Sequence, residues 1–274
     1  DTPSVNTLKA YQADWAHYTR WCRMRGADPL SPAPERIGHY LSELVDPCGA
    51  LPALSVATID RRLSGLVWNY AQRGLSLDRT DPRIAMALAD IRQRHARPPV
   101  RKDTLQPDDI RAMAATLPRD LRGLRDRAIL LLGYAGGLRR SEIVGLDLTP
   151  EETPGSSGRV EVREDGLRLI LATRTGLPEI ALNRNAQDQI CPVHALEQWL
   201  HFAKIEAGPV FTRVARDGSR ALAVRLNDKH VVRLIKRCVL AAGLRSDLPE
   251  KQRLTLFSGQ SLRARPAGAT EADE

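Results

Sequence analysis

An apolar run that stops at two glycines constrains this chain more than any other stretch: LRGLRDRAILLLGYAGGLRRSEIVGLDL, residues 121–148. Ala128 to Leu132, with Leu121 and Leu124 before them, suit a helix buried on most sides. Gly136 and Gly137 are expected to end that helix. A second, short helix is expected to start around Arg139 to Ser141, carrying Glu142, Ile143 and Leu146. An arginine at a helix start, beside glycines that leave the backbone room for a ligand, is a place to hold a phosphate.

Everything else must be arranged around that stretch, and 274 residues allow two domains. No apolar run approaches the roughly 20 residues needed to cross a bilayer, so no membrane partner is expected. The opening residues DTPSVNTLKAYQADW have neither a basic start nor an apolar signal core, and no export is expected. Cys22, Cys48, Cys191 and Cys238 show no C-x-x-C or Cys/His spacing, which points to reduced thiols in the cytoplasm and to no metal. With 41 Lys and Arg against 33 Asp and Glu, the formal charge is +8, which favours a polyanionic partner such as nucleic acid.

Leu8, Tyr11, Trp15, Tyr18, Trp21 and Cys22 advance by three or four residues, the period of a helix whose aromatics face a core. Further helices are expected over SPAPERIGHYLSEL, over Leu54 to Gln72, and from Arg83 to about His95. In the third of these, Arg61 and Arg62 fall off the apolar stripe. Between Ile91 and Lys102 there are five positive side chains (Arg92, Arg94, Arg97, Arg101, Lys102) and no acid, and Pro98-Pro99 stiffens the connection. The expected organisation is a helical domain over 1–97, a basic linker over 98–104, and a second domain over 105–274. In the second domain Arg159 to Arg163, Gly166 to Ala172 and Glu179 to Asn183 read as a small antiparallel sheet, and helices resume at Val193 to Lys204 and Asp228 to Gly243.

Gly137-Leu138-Arg139-Arg140-Ser141-Glu142-Ile143, followed far downstream by Ser258-Gly259-Gln260-Ser261-Leu262-Arg263, resembles the two arginine boxes of the tyrosine recombinase (phage integrase) family. Thr58-Ile59, Asp81-Pro82 and Val210-Phe211 also fit family habits, so the resemblance runs from about residue 5 to residue 263. It implies a mainly α fold with a small antiparallel sheet: an N-terminal helical core-binding (SAM-like) domain and an α+β catalytic domain. It also implies DNA strand exchange through a 3′-phosphotyrosyl bond, with no metal or other cofactor. The partner implied is double-stranded DNA in the cytoplasm, at the nucleoid. The chain is expected to be a monomer in solution, any homo-oligomer forming on DNA. Arg139 and Arg263 would hold the phosphate, and Glu142 would orient Arg139. Thr58, Arg61, Arg62, Arg92, Arg94, Arg97, Arg101 and Lys102 would meet the DNA, mostly at phosphates.

Three departures from the family pattern shape the expectation. Gln260 stands where the family usually has histidine, and an amide cannot shuttle a proton near neutral pH. Arg174, in Ala172-Thr173-Arg174-Thr175-Gly176, takes the place of the family's lysine and is a poor proton donor. The tyrosines are Tyr11, Tyr18, Tyr40, Tyr70 and Tyr134, none of them beyond Arg263 where the family places its nucleophile. The expectation is a truncated or degenerate member derived from a mobile element, binding DNA but unable to cleave it alone. The alternative is a non-catalytic regulator or competitor at recombination sites.

Overall fold

Helical periodicity in the first hundred residues is realised as α1 (Val5–Met24), α2 (Pro34–Glu43), α3 (Val56–Ala71) and α4 (Pro82–His95). The computed structural model describes residues 3, 5–45, 53–95, 101–150, 153–172, 176–184 and 190–263, in two units, Asp1–Pro99 and Val100–Glu274. In the first unit the stripe predicted from spacing is the core. Tyr18, Ile37, Tyr40, Leu41, Ile59, Leu63, Leu66 and Tyr70 are all fully buried. The tyrosine rings meet edge to face, Tyr18 against Tyr40 at 5.0 Å and against Tyr70 at 6.4 Å, so these aromatics serve packing. Ser55 starts α3 by accepting a hydrogen bond from the Thr58 N–H.

The second unit is built on α6 (Leu121–Ala135), preceded by α5 (Pro107–Ala115) and capped by Asp120, whose carboxylate accepts from Gly123 N–H at 2.8 Å. Ala128 to Leu132 are at most 4% exposed, because α8 (Pro192–Ala203), α5 and α9 (Lys229–Ala241) pack around them. After α7 (Arg140–Val144), the strands β1 (Leu146–Asp147), β2 (Gly158–Val162), β3 (Gly166–Leu171) and β4 (Glu179–Asn183) form one sheet in that order. β1 runs parallel to β2, and β2–β3–β4 is the antiparallel meander expected from the sequence.

One hairpin was not anticipated: Thr212–Val214 (β5) pairs with Ala221–Arg225 (β6), and its signal is Asp217-Gly218 between alternating side chains, with Gly218 at φ +82°. Towards the end of the described residues, α10 (Glu250–Leu256) precedes the 3₁₀ turn Gly259–Leu262. Within the expected linker, the described residues 101–104 are tied to the second unit: Asp103 N–H donates to the Leu256 carbonyl, Lys102 Nζ to the Thr255 carbonyl, and the following Leu105 N–H to the Ser261 carbonyl. Arg245 holds Asp103 in place, so this segment belongs to the second unit.

Candidate functional site

The end of α6 fixes where Arg139 stands. Gly137 N–H bonds to the Tyr134 carbonyl and Leu138 N–H to the Gly133 carbonyl, with Gly137 at φ +57°, the Schellman arrangement that favours glycine. Leu138, only 1% exposed, pins the reversed chain to the core. Arg139 then takes an extended conformation and caps α7 rather than lying within it. Glu142 divides its carboxylate between two tasks: one oxygen accepts from the Arg139 N–H at 2.7 Å and the other from Arg139 Nη1 at 2.6 Å. The Glu142 side chain is 14% exposed and that of Arg139 58%, so the carboxylate is the fixed partner and the guanidinium reaches outward. Nε and Nη2 of Arg139 remain for a ligand.

Arg263 is placed by the 3₁₀ turn. Ser258 Oγ accepts from the Gln260 N–H, and Ser258 N–H donates to Ser261 Oγ. Ser261 is buried, and Arg263 N–H closes the turn on the Gln260 carbonyl. Both arginines are referred to one point on α6. A Cβ at Gly133 would stand 2.6 Å from Ile143 Cδ1 of α7 and 3.3 Å from Leu262 Cδ1 of the turn. The missing side chain is therefore what lets α7 and the turn approach α6 together.

The result is a cavity of about 390 Å³ lined by Arg139, Arg140, Ser141, Val232, Ser258, Gly259, Gln260 and Arg263. Among the described residues, three guanidinium groups and no carboxylate line it. Arg139 is steered by Glu142 and Arg140 by Asp228, Nε to Oδ2 3.1 Å. The Arg263 guanidinium makes no hydrogen bond or ion pair among the described residues. Such a set has the chemistry to bind a tetrahedral oxyanion through forked, charge-assisted hydrogen bonds. The sequence reading had Arg139, Glu142, Gln260 and Arg263; it missed Arg140 and Ser258, although Arg140 adjoins Arg139 and Ser258-x-x-Ser261 is a capping pattern. Arg174 lies outside the described residues. Ala172, two positions before it, donates its N–H to the Ser157 carbonyl, and Ser157 Oγ donates to the Ser141 carbonyl, so the end of β3 is tied to α7.

None of the tyrosines lines this cavity. Tyr134 Oη is buried without a hydrogen-bond partner, and burial pushes its pKa up. Burial likewise raises Tyr18 and Tyr70, and raises Tyr40 to about 12, so these are poor sources of a phenolate.

In the first unit, the expected DNA-facing side chains fall into two classes. Arg61 and Arg62 are committed inward: Arg61 grips both oxygens of Asp14, which is 2% exposed, while Arg62 donates from Nη1 to Tyr40 Oη at 3.0 Å. Their place on the helix surface is explained by a buried carboxylate on α1 that periodicity in α3 does not reveal. Arg92 reaches Asp60 at 2.8 Å and Arg94 pairs with Asp90, both in exposed pairs worth at most about 1 kcal/mol and readily given up. Thr58 Oγ1 shares a hydrogen bond with Ser55 Oγ. Arg101 is exposed, Lys102 is engaged with Thr255 as described, and Arg97 lies outside the described residues.

No family model matches the sequence. The chain is 32% identical over 270 residues to an integrase/recombinase xerD homolog of Selenomonas ruminantium, covering 94% of this chain and 71% of that protein. Against the tyrosine recombinase XerD of Mycobacterium leprae it is 30% identical over 185 residues, 61% of this chain and 54% of that protein. Among solved structures, the Tn1549 transposon integrase in complex with transposon right end DNA superposes with a TM-score of 0.52 at 15% identity, over 94% of this chain and 84% of that one. The XerH recombinase bound to a palindromic difH substrate, after cleavage, gives 0.51 at 14%, over 94% and 66%. At those identities the superpositions speak to the fold.

Proposed function

The chain belongs to the tyrosine recombinase (integrase) family, and on that premise we propose that it binds duplex DNA and seats one backbone phosphate between Arg139 and Arg263. The observation that carries this reading is the cavity in which two arginines, 124 residues apart, converge with a third and with no acid. A phosphodiester gains negative charge on its equatorial oxygens as it is attacked, and fixed guanidinium groups stabilise that charge without reorganising. Gln260 can donate a hydrogen bond to an oxygen there but cannot deliver a proton.

The sequence carries no tyrosine after Tyr134, so the nucleophile of a cleaving complex has to come from outside these 274 residues. A polypeptide of residues 1–274 therefore grips DNA without cutting it. The test is a duplex nicked beside the scissile position. Expected are salt-dependent binding, weakened by Arg263→Ala, and no covalent protein–DNA adduct on a denaturing gel. An adduct would overturn the inactivity, and binding that Arg139→Ala and Arg263→Ala leave unchanged would overturn the seat. Gln260 also supports a second reading, a competitor occupying recombination sites. On that reading, adding a tyrosine-bearing relative to the mixture restores no exchange through this chain.

A further inference from the structure

A second basic cavity lies in the same unit, sharing no residue with the first. It measures about 430 Å³ and is walled by the Leu117–Pro118 corner, Leu124, Ala195 and Gln198, with Arg119, Arg127 and His194 as its charged or titratable groups. Arg127 sits on α6 eight residues before Ala135, so about 12 Å along the helix from its end. The cavity near Arg139 and this one are served by different parts of the same helix.

Arg127 is the anomaly. Every other buried or half-buried arginine among the described residues of this unit has an acceptor: Arg122 the carbonyls of Ala215 and Arg216, Arg125 the Asp126 carboxylate, Arg159 Glu161, Arg168 Glu179, Arg225 Asp147, and Arg253 the Leu244 carbonyl. Arg127, half-buried, has none, nor has the neighbouring Arg119. Burial, and after it the positive charge of Arg119, push the Arg127 guanidinium below its ordinary pKa. The His194 ring makes no hydrogen bond among the described residues. Glu197, three residues further along α8, is already held by Arg184 through two contacts of 2.7 Å. A half-buried cation facing a second cation is left unpaid for by the protein itself, and a buried charge without a partner is costly. His194 and Ala195 also lie in the first turn of the twelve-residue α8, whose dipole favours negative charge.

We infer that the Arg119–Arg127–His194 cavity binds a phosphate-class oxyanion, carried either by a DNA backbone away from the Arg139 cavity or by a free phosphate compound. Two guanidinium forks and an imidazole N–H supply the donors, and Gln198 adds an amide. This assignment does not rest on the role given to Arg139 and Arg263.

The experiment uses the whole chain with sodium phosphate, against sodium chloride at matched ionic strength, and reads thermal melting together with the His194 ring resonances, assigned through His194→Gln. Phosphate is expected to raise the melting temperature by a few degrees and to shift the His194 signals. Arg139→Gln/Arg263→Gln should keep the His194 shift, whatever part of the melting response their own cavity supplies, and Arg119→Gln/Arg127→Met should lose the His194 shift. Because Arg127 has no internal partner, Arg127→Met should melt no lower than the wild type in phosphate-free buffer, whereas a structural arginine would lose stability. Photocrosslinking from position 198 to a duplex distinguishes the sources: crosslinks assign the site to DNA, and their absence with the phosphate response intact assigns it to a free compound. Ring signals indifferent to both phosphate and duplex, or an Arg119→Gln/Arg127→Met variant whose ring signals respond like the wild type's, would overturn the proposal.

Discussion

At Arg139 one carboxylate does two jobs, and the consequence is a graded mutational series. Glu142→Gln keeps a cap for the Arg139 N–H but weakens the hold on Nη1, so the guanidinium is oriented less tightly while remaining present. Arg139→Ala removes the proposed phosphate contact altogether and is expected to lower the slope of log affinity against log salt by about 1, where Glu142→Gln is expected to leave the slope unchanged and lower affinity less. Binding titrations at several salt concentrations check both. Asp14 gives the opposite kind of prediction. Removing Arg61 and Arg62 together strands a carboxylate that is 2% exposed, and the expected loss is about 3 kcal/mol of unfolding free energy, measured in urea. The contrast shows what residue spacing can convey. Glu142 is legible as Arg139's partner because three residues separate them. Asp14 and Arg61 are 47 positions apart on different helices, so the sequence displays two exposed arginines where the fold has a buried clamp.

Among the elements, the long apolar run, its glycine stop and the β2–β3–β4 meander could be read directly, because each has a strong period and a distinct terminator. The β5–β6 hairpin was passed over because strands of three and five residues barely establish alternation, leaving Asp217-Gly218 as the main signal. What no pattern conveys is convergence. Gly133 looks like an ordinary weak point in a helix, yet it is where Ile143 and Leu262 both seat. Gly133→Val should therefore cost about 1–3 kcal/mol by overpacking and should separate α7 from the 3₁₀ turn. The same substitution should weaken phosphate binding in the Arg139 cavity, though Gly133 touches no ligand. Gly137→Ala, with φ +57° and open space around it, should cost about 1 kcal/mol through the backbone alone. Denaturation of the two variants beside the wild type separates crowding from conformational strain.

For the whole second unit, the acid limit is set by buried carboxylates. Burial alone would raise the Asp126 pKa, but hydrogen bonds from His230 and Arg125 outweigh it and hold the carboxyl below its ordinary value. The group binds its proton less readily folded than unfolded. Its stabilising contribution is thus complete above the unfolded pKa of about 4 and is lost as pH falls through the lower folded value. Unfolding free energy should decline below about pH 4, and Asp126→Asn should be less stable near neutrality with a flatter acid limb. Finally, the segment that opens this unit is bonded to the end of α10 through Asp103 to Leu256 and to the turn that ends in Arg263 through Leu105 to Ser261. Pulling on Asp103 would load those bonds in shear. The turn that carries Arg263 is thereby anchored from behind to the segment that opens this unit, so strain on that segment is expected to register at Arg263.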